Sequence, residues 1–271
     1  MPELPEVETT RRGIEPHIAG RRLQHLAVYE PRLRWPVAPG IAQAADGQRI
    51  AGVRRRAKYL LVDLELGSLL LHLGMSGSLR VLPADAPRRL HDHVDLQLDS
   101  GQLLRFNDPR RFGSLHWLTG DVMAHPLLAT LGPEPLEDQF DGAYLHSQCR
   151  GRRVAIKQHI MNSHVVVGVG NIYASEALFR AGIRPGRAAQ SLTRAQCDAL
   201  AQSIRDVLTM AIRSGGTTLR DYVGVDGSPG YFRQKLYVYE RADEPCRNCS
   251  TAIRHRVQGQ RSTYYCTQCQ S

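Results

Sequence analysis

The chain has 271 residues, a formal net charge of +9 from 35 basic and 26 acidic residues, and a hydrophobic fraction of 42%. This composition excludes a disordered chain, and no apolar run reaches the ~18–20 residues that a membrane-spanning helix needs. The excess of positive charge favours a polyanionic partner such as nucleic acid. The acidic, proline-punctuated start of the chain is unlike an export signal, so we expect a cytoplasmic protein with no membrane contact.

The first predicted element is an N-terminal helix. Apolar positions recur at helical spacing from Glu6 to Ile18, and Pro5 suits a first helical turn. From about Arg22 to Leu118 the chain instead has short segments rich in Leu and Val, separated by Gly, Asp or Ser. The clearest of them are Lys58–Leu64, Ser68–Leu73, Ser78–Leu82, His93–Leu98 and Gln102–Phe106. Their alternating pattern predicts a mostly antiparallel β-sandwich.

The second half of the chain is predicted to be helical. Gly132–Pro135 has the composition of a domain boundary, and a helix is expected over Ile172–Ala181. A further helix opens at Thr193–Gln196, which fits a capping box, and stops at Gly215–Gly216. Residues Gly224–Gly230, rich in Gly, Asp, Ser and Pro, predict a loop.

The last segment carries a metal-binding pattern. Cys246, Cys249, Cys266 and Cys269 follow the spacing C-x2-C-x16-C-x2-C, in which two knuckles direct four thiolates at one ion. The pattern predicts one structural zinc ion with no open coordination position; two disulfides or an iron–sulfur cluster are the alternatives. The arm between the knuckles is basic and includes Arg261, which suits phosphate contact or a merely solvated hairpin.

The N-terminus offers an unusual nucleophile. Removal of the initiator methionine would expose the secondary amine of Pro2, and an α-amine with a pKa near ~7.7–8 is partly neutral at physiological pH. Such an amine, beside the carboxyl groups of Glu3 and Glu6, suits attack on a sugar carbon to form a Schiff base. From the residues alone the signal is weak, because many chains begin Met-Pro without catalytic meaning.

Four further residues suit contact with DNA. Lys58 follows an arginine run that suits either a solvated strand or a phosphate grip. Arg110 and Phe112 lie in one turn, where an aromatic ring and a guanidinium suit insertion between bases. Met75 is flanked by glycines in a predicted loop tip. Taken singly, Phe112 and Met75 are more typical of core residues.

Together these motifs resemble the formamidopyrimidine-DNA glycosylase family, bacterial enzymes that excise oxidised purines. The matching segments occur in the family's order and span the chain: Pro2–Thr9, Arg55–Leu60, His72–Gly77, His91–His93, Asp108–Gly113, Val167–Tyr173, Gly215–Thr218 and the cysteine quartet. The resemblance implies an α+β protein that acts as a monomer on damaged double-stranded DNA. It implies an N-terminal catalytic β-sandwich over residues 1–131, a helix–two-turn–helix domain over 132–235 and a zinc-finger hairpin over 236–271.

The resemblance also implies the roles of individual residues. Pro2 matches the nucleophile at C1′ of the damaged nucleotide, and Glu3 matches the acid that assists opening of the sugar ring. Lys58 matches a lysine described as proton donor for β-elimination, although it equally suits holding the flanking phosphate. Arg261 matches the arginine of the δ-elimination step.

Other positions match DNA contacts of the family. Met75, Arg110 and Phe112 match the side chains that fill the gap left by the extruded lesion. A loop over about Thr217–Tyr231 matches the one that closes over the flipped base. The remaining matched contact positions are His72, His91, Arg152 and Asn171.

Four positions depart from the family's usual residues. Ser250 and Glu240 stand where glycine is common, and His164 and Arg152 stand where lysine is expected. None of them touches the implied chemistry. Two alternatives remain: an endonuclease VIII-like enzyme for oxidised pyrimidines, which Leu4 argues against, and a non-catalytic zinc-dependent DNA-binding relative.

Overall fold

The computed structural model describes residues 2–216 and 235–271. The described chain forms two compact units, one of residues 2–129 with 214–216, the other of residues 130–213 with 235–271. No helix within these ranges is both long and apolar enough to cross a membrane. The predicted loop Gly224–Gly230 and the expected lesion-covering loop Thr217–Tyr231 lie outside the described residues.

The first unit consists of one long helix and eight strands, with two short helices. Its elements are α1 (Leu4–Ile18), β1 (Leu23–Val28), α2 (Ile41–Ala45), β2 (Ile50–Arg56), β3 (Tyr59–Leu64), β4 (Ser68–His72), β5 (Ser78–Pro83), β6 (Asp92–Leu98), β7 (Gln102–Asn107), β8 (Ser114–Leu118) and α3 (Pro126–Ala129). The predicted N-terminal helix and the five named strand segments are confirmed to within a residue or two. Helix α1 starts at Leu4, earlier than the apolar spacing suggests, because Glu3 is its N-cap.

The strands form two four-stranded antiparallel sheets, as predicted. Their orders are β1-β6-β7-β5 and β2-β3-β4-β8. Apolar side chains of both sheets and of α1 share one buried core, which includes Val7, Leu60 and Phe106. The chain passes from one sheet to the other three times, between β1 and β2, between β4 and β5 and between β7 and β8. The last two connections, residues 73–77 and 108–113, are called the crossing loops below.

The second unit combines helices with a β-hairpin. Its elements are α4 (Gly142–Cys149), α5 (Ile156–Ile160), α6 (Asn171–Arg180), α7 (Arg194–Arg213), β9 (Arg254–Gln258) and β10 (Arg261–Tyr265). The capping box predicted for α7 is confirmed: Gln196 N donates to Thr193 Oγ1 at 3.3 Å, and Thr193 N donates to Gln196 Oε1 at 3.0 Å. Helix α6 lies one residue ahead of its predicted range.

Two residues at positions where the resemblance leads us to expect glycine adopt left-handed backbone. Ser250 has φ 62° and Glu240 has φ 57°. A side chain in this region clashes with the following carbonyl, which costs roughly 1–2 kcal/mol, whereas glycine adopts it freely. The two departures therefore place strain in the turn after the second cysteine and in the segment that leads into the hairpin.

Replacing these residues by glycine tests the strain. Ser250→Gly and Glu240→Gly are each expected to raise the free energy of unfolding by roughly 0.5–1 kcal/mol, since relief of strain exceeds the added entropy of the unfolded chain. Urea denaturation of the zinc-loaded protein measures it. The matched control is Ser147→Gly within α4, which is expected to lower stability. A fall for all three variants would contradict the assignment of strain.

Candidate active site and metal centre

The N-terminal turn is held by a glutamate that points back at the backbone. Pro2 is buried directly ahead of α1, and Glu3 N donates to Glu6 Oε2 at 2.8 Å. The side chains of Glu3 and Glu6 are both 3% exposed. Gly216 has φ 81°, and a Cβ atom there would lie 3.1 Å from Glu6 Oε1, so glycine permits this close approach. Glu6 thus fixes the backbone beside the candidate nucleophile, and Glu3 brings a second buried carboxyl group next to it.

Ion pairs connect α1 to the turn that carries Lys58. Arg55 Nε lies 3.2 Å from Glu8 Oε2 on α1, and Arg55 Nη1 donates to the carbonyl of Ala57 at 2.9 Å. Burial alone would raise the pKa of Glu8, but hydrogen bonds from Arg11 and Arg12 bring that pKa below its usual value. Glu8 is therefore a charged anchor for Arg55, and the half-buried Lys58 follows in the same turn.

His72, at the end of β4, is held as a neutral hydrogen-bond donor. Its Nδ1 accepts from the backbone N–H of Gly74 at 2.9 Å, and its ring packs 4.9 Å from that of Tyr59. Burial, with the nearby positive charges of Lys58 and Arg34, lowers the pKa of His72 to about 4. With Nδ1 accepting, the neutral ring carries its proton on Nε2, the form that can donate to a phosphate oxygen.

The buried carboxylate of Asp108 ties the two crossing loops together. Asp108 is 0% exposed, and it accepts from Ser76 Oγ at 2.8 Å, from Gly113 N at 2.8 Å and from Arg110 N at 3.3 Å. Its own N–H donates to the carbonyl of His91 at 3.0 Å. The side chain of Asp108 thus fixes the loop of Met75 and the loop of Arg110 and Phe112. Its backbone N–H fixes the segment of His91 as well.

The crossing loops also pack directly on each other. A Cβ atom on Gly74 would lie 2.4 Å from Gly113 N, so only glycine allows the backbones this close. At the surface, the guanidinium of Arg110 lies 4.8 Å from the ring centroid of Phe112, which is 40% exposed. Met75, between Gly74 and Ser76, is half-buried. The structure therefore brings together the two loops that carry the predicted insertion triad.

Two predicted DNA-contact residues lie in the second unit. Asn171 is the first residue of α6, and its Oδ1 is buried without a hydrogen-bond partner among the described residues. Arg152 is exposed ahead of α5, and its positive charge adds to burial in lowering the pKa of His159. The described contacts do not join Arg152 to Asn171.

The four predicted zinc ligands form one cluster. The sulfur atoms of Cys246, Cys249, Cys266 and Cys269 all lie within 4.8 Å of one another, and none forms a disulfide. The pair Cys246–Cys269 is 3.9 Å apart and the pair Cys249–Cys266 is 3.4 Å apart. A tetrahedron with Zn–S bonds of about 2.3 Å has sulfur separations of about 3.8 Å, so the cluster fits a zinc ion. The disulfide alternative is excluded.

A buried lysine supports the strand that carries Arg261. Gly259 and Gln260 have φ 56° and 59° and form the two-residue turn between β9 and β10, after which Arg261 is exposed. Lys157 on α5 is 0% exposed, and its Nζ donates to the carbonyl of Ser262 at 2.9 Å and to Thr263 Oγ1 at 2.8 Å. Arg261 is thus held by the turn on one side and by Lys157 on the other.

Sequence reasoning missed the positioning roles of Asp108 and Lys157. Asp108 begins the segment Asp108–Gly113, but its sequence neighbours give no sign that its side chain is completely buried. Lys157 lies between Ile156 and Ile160, an apolar context that is unusual for one of only three lysines in the chain. This apolar context was the available sign that Lys157 is buried and bonded, because lysine side chains are almost never fully buried unless they have partners.

Family models match almost the whole chain. Residues 1–115 match the formamidopyrimidine-DNA glycosylase N-terminal domain, and residues 131–223 match the H2TH domain of the same enzymes. Residues 243–271 match a zinc finger found in Fpg and in IleRS. This last match and the sulfur cluster together identify the metal as one structural zinc ion.

Full-length relatives and solved structures agree with these matches. Proteins named formamidopyrimidine-DNA glycosylase from Thioalkalivibrio sulfidiphilus and Stenotrophomonas maltophilia are 64% and 57% identical, and each alignment covers 100% of both chains. The Fpg (MutM) structure from Thermus thermophilus has a TM-score of 0.89 at 38% identity, covering 99% of this chain and 98% of that one. A Lactococcus lactis Fpg variant in complex with DNA containing Fapy-dG has a TM-score of 0.93 at 33% identity, covering 100% of both chains.

Asp108→Asn tests the carboxylate that ties the crossing loops. Asparagine replaces one carboxylate oxygen by an NH2 group, which cannot accept the hydrogen bonds from Ser76, Arg110 or Gly113 that this oxygen receives. The free energy of unfolding is therefore expected to fall by about 1–3 kcal/mol. Urea denaturation measures the change. The matched control is Asp121→Asn, since Asp121 accepts from Met123 N at 2.9 Å in an exposed cap where asparagine serves equally well. Equal effects at both positions would contradict the role given to Asp108.

The low pKa of His72 predicts a pH-dependent stability. Because that pKa is about 4 in the folded protein against 6.5 for the free side chain, the unfolded chain binds the proton first as the pH falls. The difference in unfolding free energy between wild type and His72→Gln is therefore expected to be constant above pH 6.5. Below pH 6.5 the wild type should lose stability relative to the variant, progressively down to pH 4. Urea titrations at pH 7.5 and 4.5 measure the difference, and an unchanged difference would show that His72 titrates alike in both states.

Proposed function

Because the chain belongs to the formamidopyrimidine-DNA glycosylase family, we propose that its two units act on damaged double-stranded DNA through the residues described above. The protein is a base-excision repair glycosylase for oxidised purines, such as 8-oxoguanine and formamidopyrimidines. Two things support this activity: full-length relatives that carry this name, and structural neighbours whose DNA contains Fapy-dG. The pyrimidine-directed alternative has no such support.

The chemistry begins at the amine of Pro2. After removal of Met1, the neutral secondary amine attacks C1′ of the damaged nucleotide while the bond from C1′ to the base breaks, and the proton lost from the nitrogen passes to the departing base. The carboxyl group of Glu3 protonates the ring oxygen as the sugar opens, and an iminium links Pro2 to C1′. The buried hydrogen bond from Glu3 N to Glu6 supports this role, since it fixes the amine's neighbour and limits the motion of the attacking nitrogen.

Strand cleavage follows from the covalent intermediate. Loss of a C2′ proton from the iminium expels the 3′ phosphate, which is β-elimination, and a second elimination expels the 5′ phosphate, which is δ-elimination. Lys58 acts in the first step as a proton donor or holds the flanking phosphate. Arg261 serves the second step, and the turn and Lys157 give it a fixed place on the zinc-finger hairpin.

The crossing loops keep the lesion outside the helix. Extruding a base costs a few kcal/mol of stacking, which inserted side chains offset. Met75 and Phe112 fill the vacated space, and Arg110 contacts the base left without a partner. Because Asp108 already holds both loops, little further ordering is needed when DNA binds.

Phosphate contacts fix the register of the DNA on the protein. His72 donates through Nε2, Asn171 lies at the first turn of α6, and His91 and Arg152 add contacts from each unit. Such contacts position the duplex without reading the lesion, so affinity should fall with salt. We place the protein in the bacterial cytoplasm, associated with the nucleoid through DNA and acting as a monomer.

The zinc ion has a structural role. Four cysteine thiolates, from Cys246 to Cys269, would hold it and leave no position for substrate. Bound zinc would supply folding energy to a segment whose apolar cluster is small and includes Val238 and Ile253 beside the cysteines. The chain's own contribution is to orient Arg261 and the basic arm of β9.

Trapping by borohydride tests the prolyl nucleophile. Reduction in the presence of duplex DNA with one 8-oxoguanine is expected to join protein and DNA covalently, and digestion should place the DNA on the peptide that begins with Pro2. A protein with an N-terminal extension has an amide in place of this amine, so it should give no adduct while still binding the duplex.

Proteolytic removal of the extension provides the matched control, because it restores the Pro2 amine in the same preparation. Trapping should return with it. Undiminished trapping by the extended protein, or an adduct on a lysine peptide, would overturn the assignment of Pro2.

Lys157→Met tests how Arg261 is placed. Methionine keeps the length and apolar stem of the side chain but removes the donors to Ser262 O and Thr263 Oγ1. We expect zinc content to be unchanged, and the ratio of δ- to β-elimination products on abasic-site DNA to fall at least about threefold, roughly 0.7 kcal/mol. Denaturing gels resolve the two products. An unchanged ratio at full zinc occupancy would show that Lys157 does not position Arg261.

A further inference from the structure

A pocket of about 350 Å³ opens beside the crossing loops of the first unit. Residues from the loop of Arg110, the start of β5, the end of β7 and the segment ahead of β6 line it. Its described lining includes three arginines and no acidic residue. The members used below are Ser78, Arg80, Arg89, Leu90, Asn107 and Arg110, and the site is called the Arg89 pocket.

A buried carboxylate holds the wall of the Arg89 pocket in place. Asp92, whose side chain is 0% exposed, accepts from Arg80 Nη2 at 3.0 Å and from the backbone N–H of Arg89 at 2.7 Å. It also accepts from Asn107 Nδ2 at 2.8 Å, and the same amide group donates to the carbonyl of Leu90 at 3.1 Å. The segment that carries Arg89 and Leu90 is therefore tied to β6 and β7 before any ligand binds.

The charges around the pocket favour an anion. Among the described residues, the guanidinium of Arg89 has no hydrogen-bond acceptor, and that of Arg110 has a partner only in the ring of Phe112, 4.8 Å away. Asp92 and Asp108 bond to residues of the pocket, but both carboxylates are buried and already accept several hydrogen bonds. The exposed guanidinium groups of Arg89 and Arg110 therefore present positive charge to the solvent.

The lining suits a phosphate that carries a sugar. Guanidinium groups bind phosphate oxygens through paired hydrogen bonds, and the hydroxyl of Ser78 is a further common donor to phosphate. Leu90 is 80% exposed, so it offers an apolar surface at the lip of the pocket. An inorganic anion gains nothing from that surface, whereas a deoxyribose ring can cover it. A unit of DNA backbone therefore uses more of this lining than a free anion does.

The place of the pocket beside Arg110 indicates which strand supplies the phosphate. In the function proposed above, Arg110 contacts the base left without a partner, and that base belongs to the undamaged strand. Arg110 is also a member of the Arg89 pocket. The phosphodiesters that flank the unpaired base are therefore the ones within reach of Arg89.

We propose that the Arg89 pocket binds a phosphodiester of the undamaged strand next to the base opposite the lesion. Arg89 pairs with the phosphate, Arg80 and Ser78 lie at the inner end of the pocket, and Leu90 covers the adjoining sugar. This inference rests on the proposed function and adds to it a contact with the strand that is not cut. Holding that strand keeps the unpaired base against Arg110 while the lesion leaves the helix.

Affinity for a duplex with an uncleavable tetrahydrofuran abasic analogue tests the charge of Arg89. Arg89→Gln is expected to raise the Kd at least about fivefold at moderate salt and to reduce the slope of log Kd against log salt by about 1. Arg21→Gln is the matched control, since Arg21 is exposed and follows α1. Leu23, two positions on, pairs with Leu98, which lies roughly 20 Å along β6 from Asp92. The Kd of this control should stay within about twofold of wild type.

Methylphosphonate linkages, which remove the charge of one phosphate, locate the contact on the DNA. Placed singly on either side of the base opposite the analogue, one of them should weaken wild type at least about fivefold. The same linkage should weaken Arg89→Gln less than about twofold, because the variant has already lost the interaction. Methylphosphonates beside the analogue in the damaged strand should weaken both proteins alike.

Leu90→Asn tests the contact with the sugar. It is expected to raise the Kd about threefold without changing the salt slope, since an apolar contact releases no counterions. Leu66→Asn is the matched control, because Leu66 is 74% exposed in the turn between β3 and β4. Its Kd should equal that of wild type. Urea denaturation of all four variants shows that they remain folded.

Three outcomes would overturn the proposal: an unchanged Kd in Arg89→Gln, equal weakening by Arg21→Gln, or coupling of Arg89 to a linkage of the damaged strand. The second would mean a diffuse charge effect, and the third a phosphate of the other strand. Cleavage of an 8-oxoguanine duplex by the wild type reports on the proposed function separately. A protein that binds through Arg89 but does not cut would contradict that function alone.

Discussion

The carboxylate of Asp108 is the constraint on which the geometry of the two crossing loops of the first unit depends. A β-sandwich has to connect its two sheets, and here two of those connections carry the side chains that we propose to enter DNA. Loops of this kind are ordinarily mobile, because few buried contacts hold them. A buried carboxylate with three donors is the opposite case, since each donor would lose its partner if the loops separated.

The same physical device recurs at other functional segments of both units. Glu8, through Arg55, anchors the turn of Lys58 to α1. Lys157 supports the strand after Arg261, and Glu176 collects three backbone N–H groups ahead of the zinc finger. In each case a buried or part-buried ionisable side chain bonds groups of a turn, of a loop or of the edge strand β10. Such segments have few hydrogen bonds from a regular ladder, so these side chains add the missing ones.

Much of this architecture was readable from the sequence where the signal is local. The sequence pattern predicts α1, α6 and five strands, the pair Thr193 and Gln196 predicts the cap of α7, and the cysteine spacing predicts zinc. Strands β1, β2 and β8 were not among the five named segments, and the arginine run at the end of β2 was compatible with either a solvated strand or a phosphate grip. The strain at Ser250 and Glu240 could be recognised only from their backbone φ angles. The sequence shows merely that these residues are not glycine. The burial of Asp108 and Lys157 is a tertiary property, since it depends on which distant groups donate or accept, and no short window of sequence contains them. The catalytic roles of Pro2, Glu3, Lys58 and Arg261 rest on family resemblance, and they remain predictions.

The central claim is that the crossing loops, which we propose to enter DNA, are held in place before DNA arrives. Amide hydrogen exchange at Gly113 in the free protein tests this claim most directly. This N–H donates to the buried Asp108 carboxylate at 2.8 Å. The account predicts that Gly113 exchanges as slowly as the core amides of β4, which open only with the whole unit. Exchange at the rate of an ordinary exposed turn, in protein whose β4 amides remain protected, would contradict it.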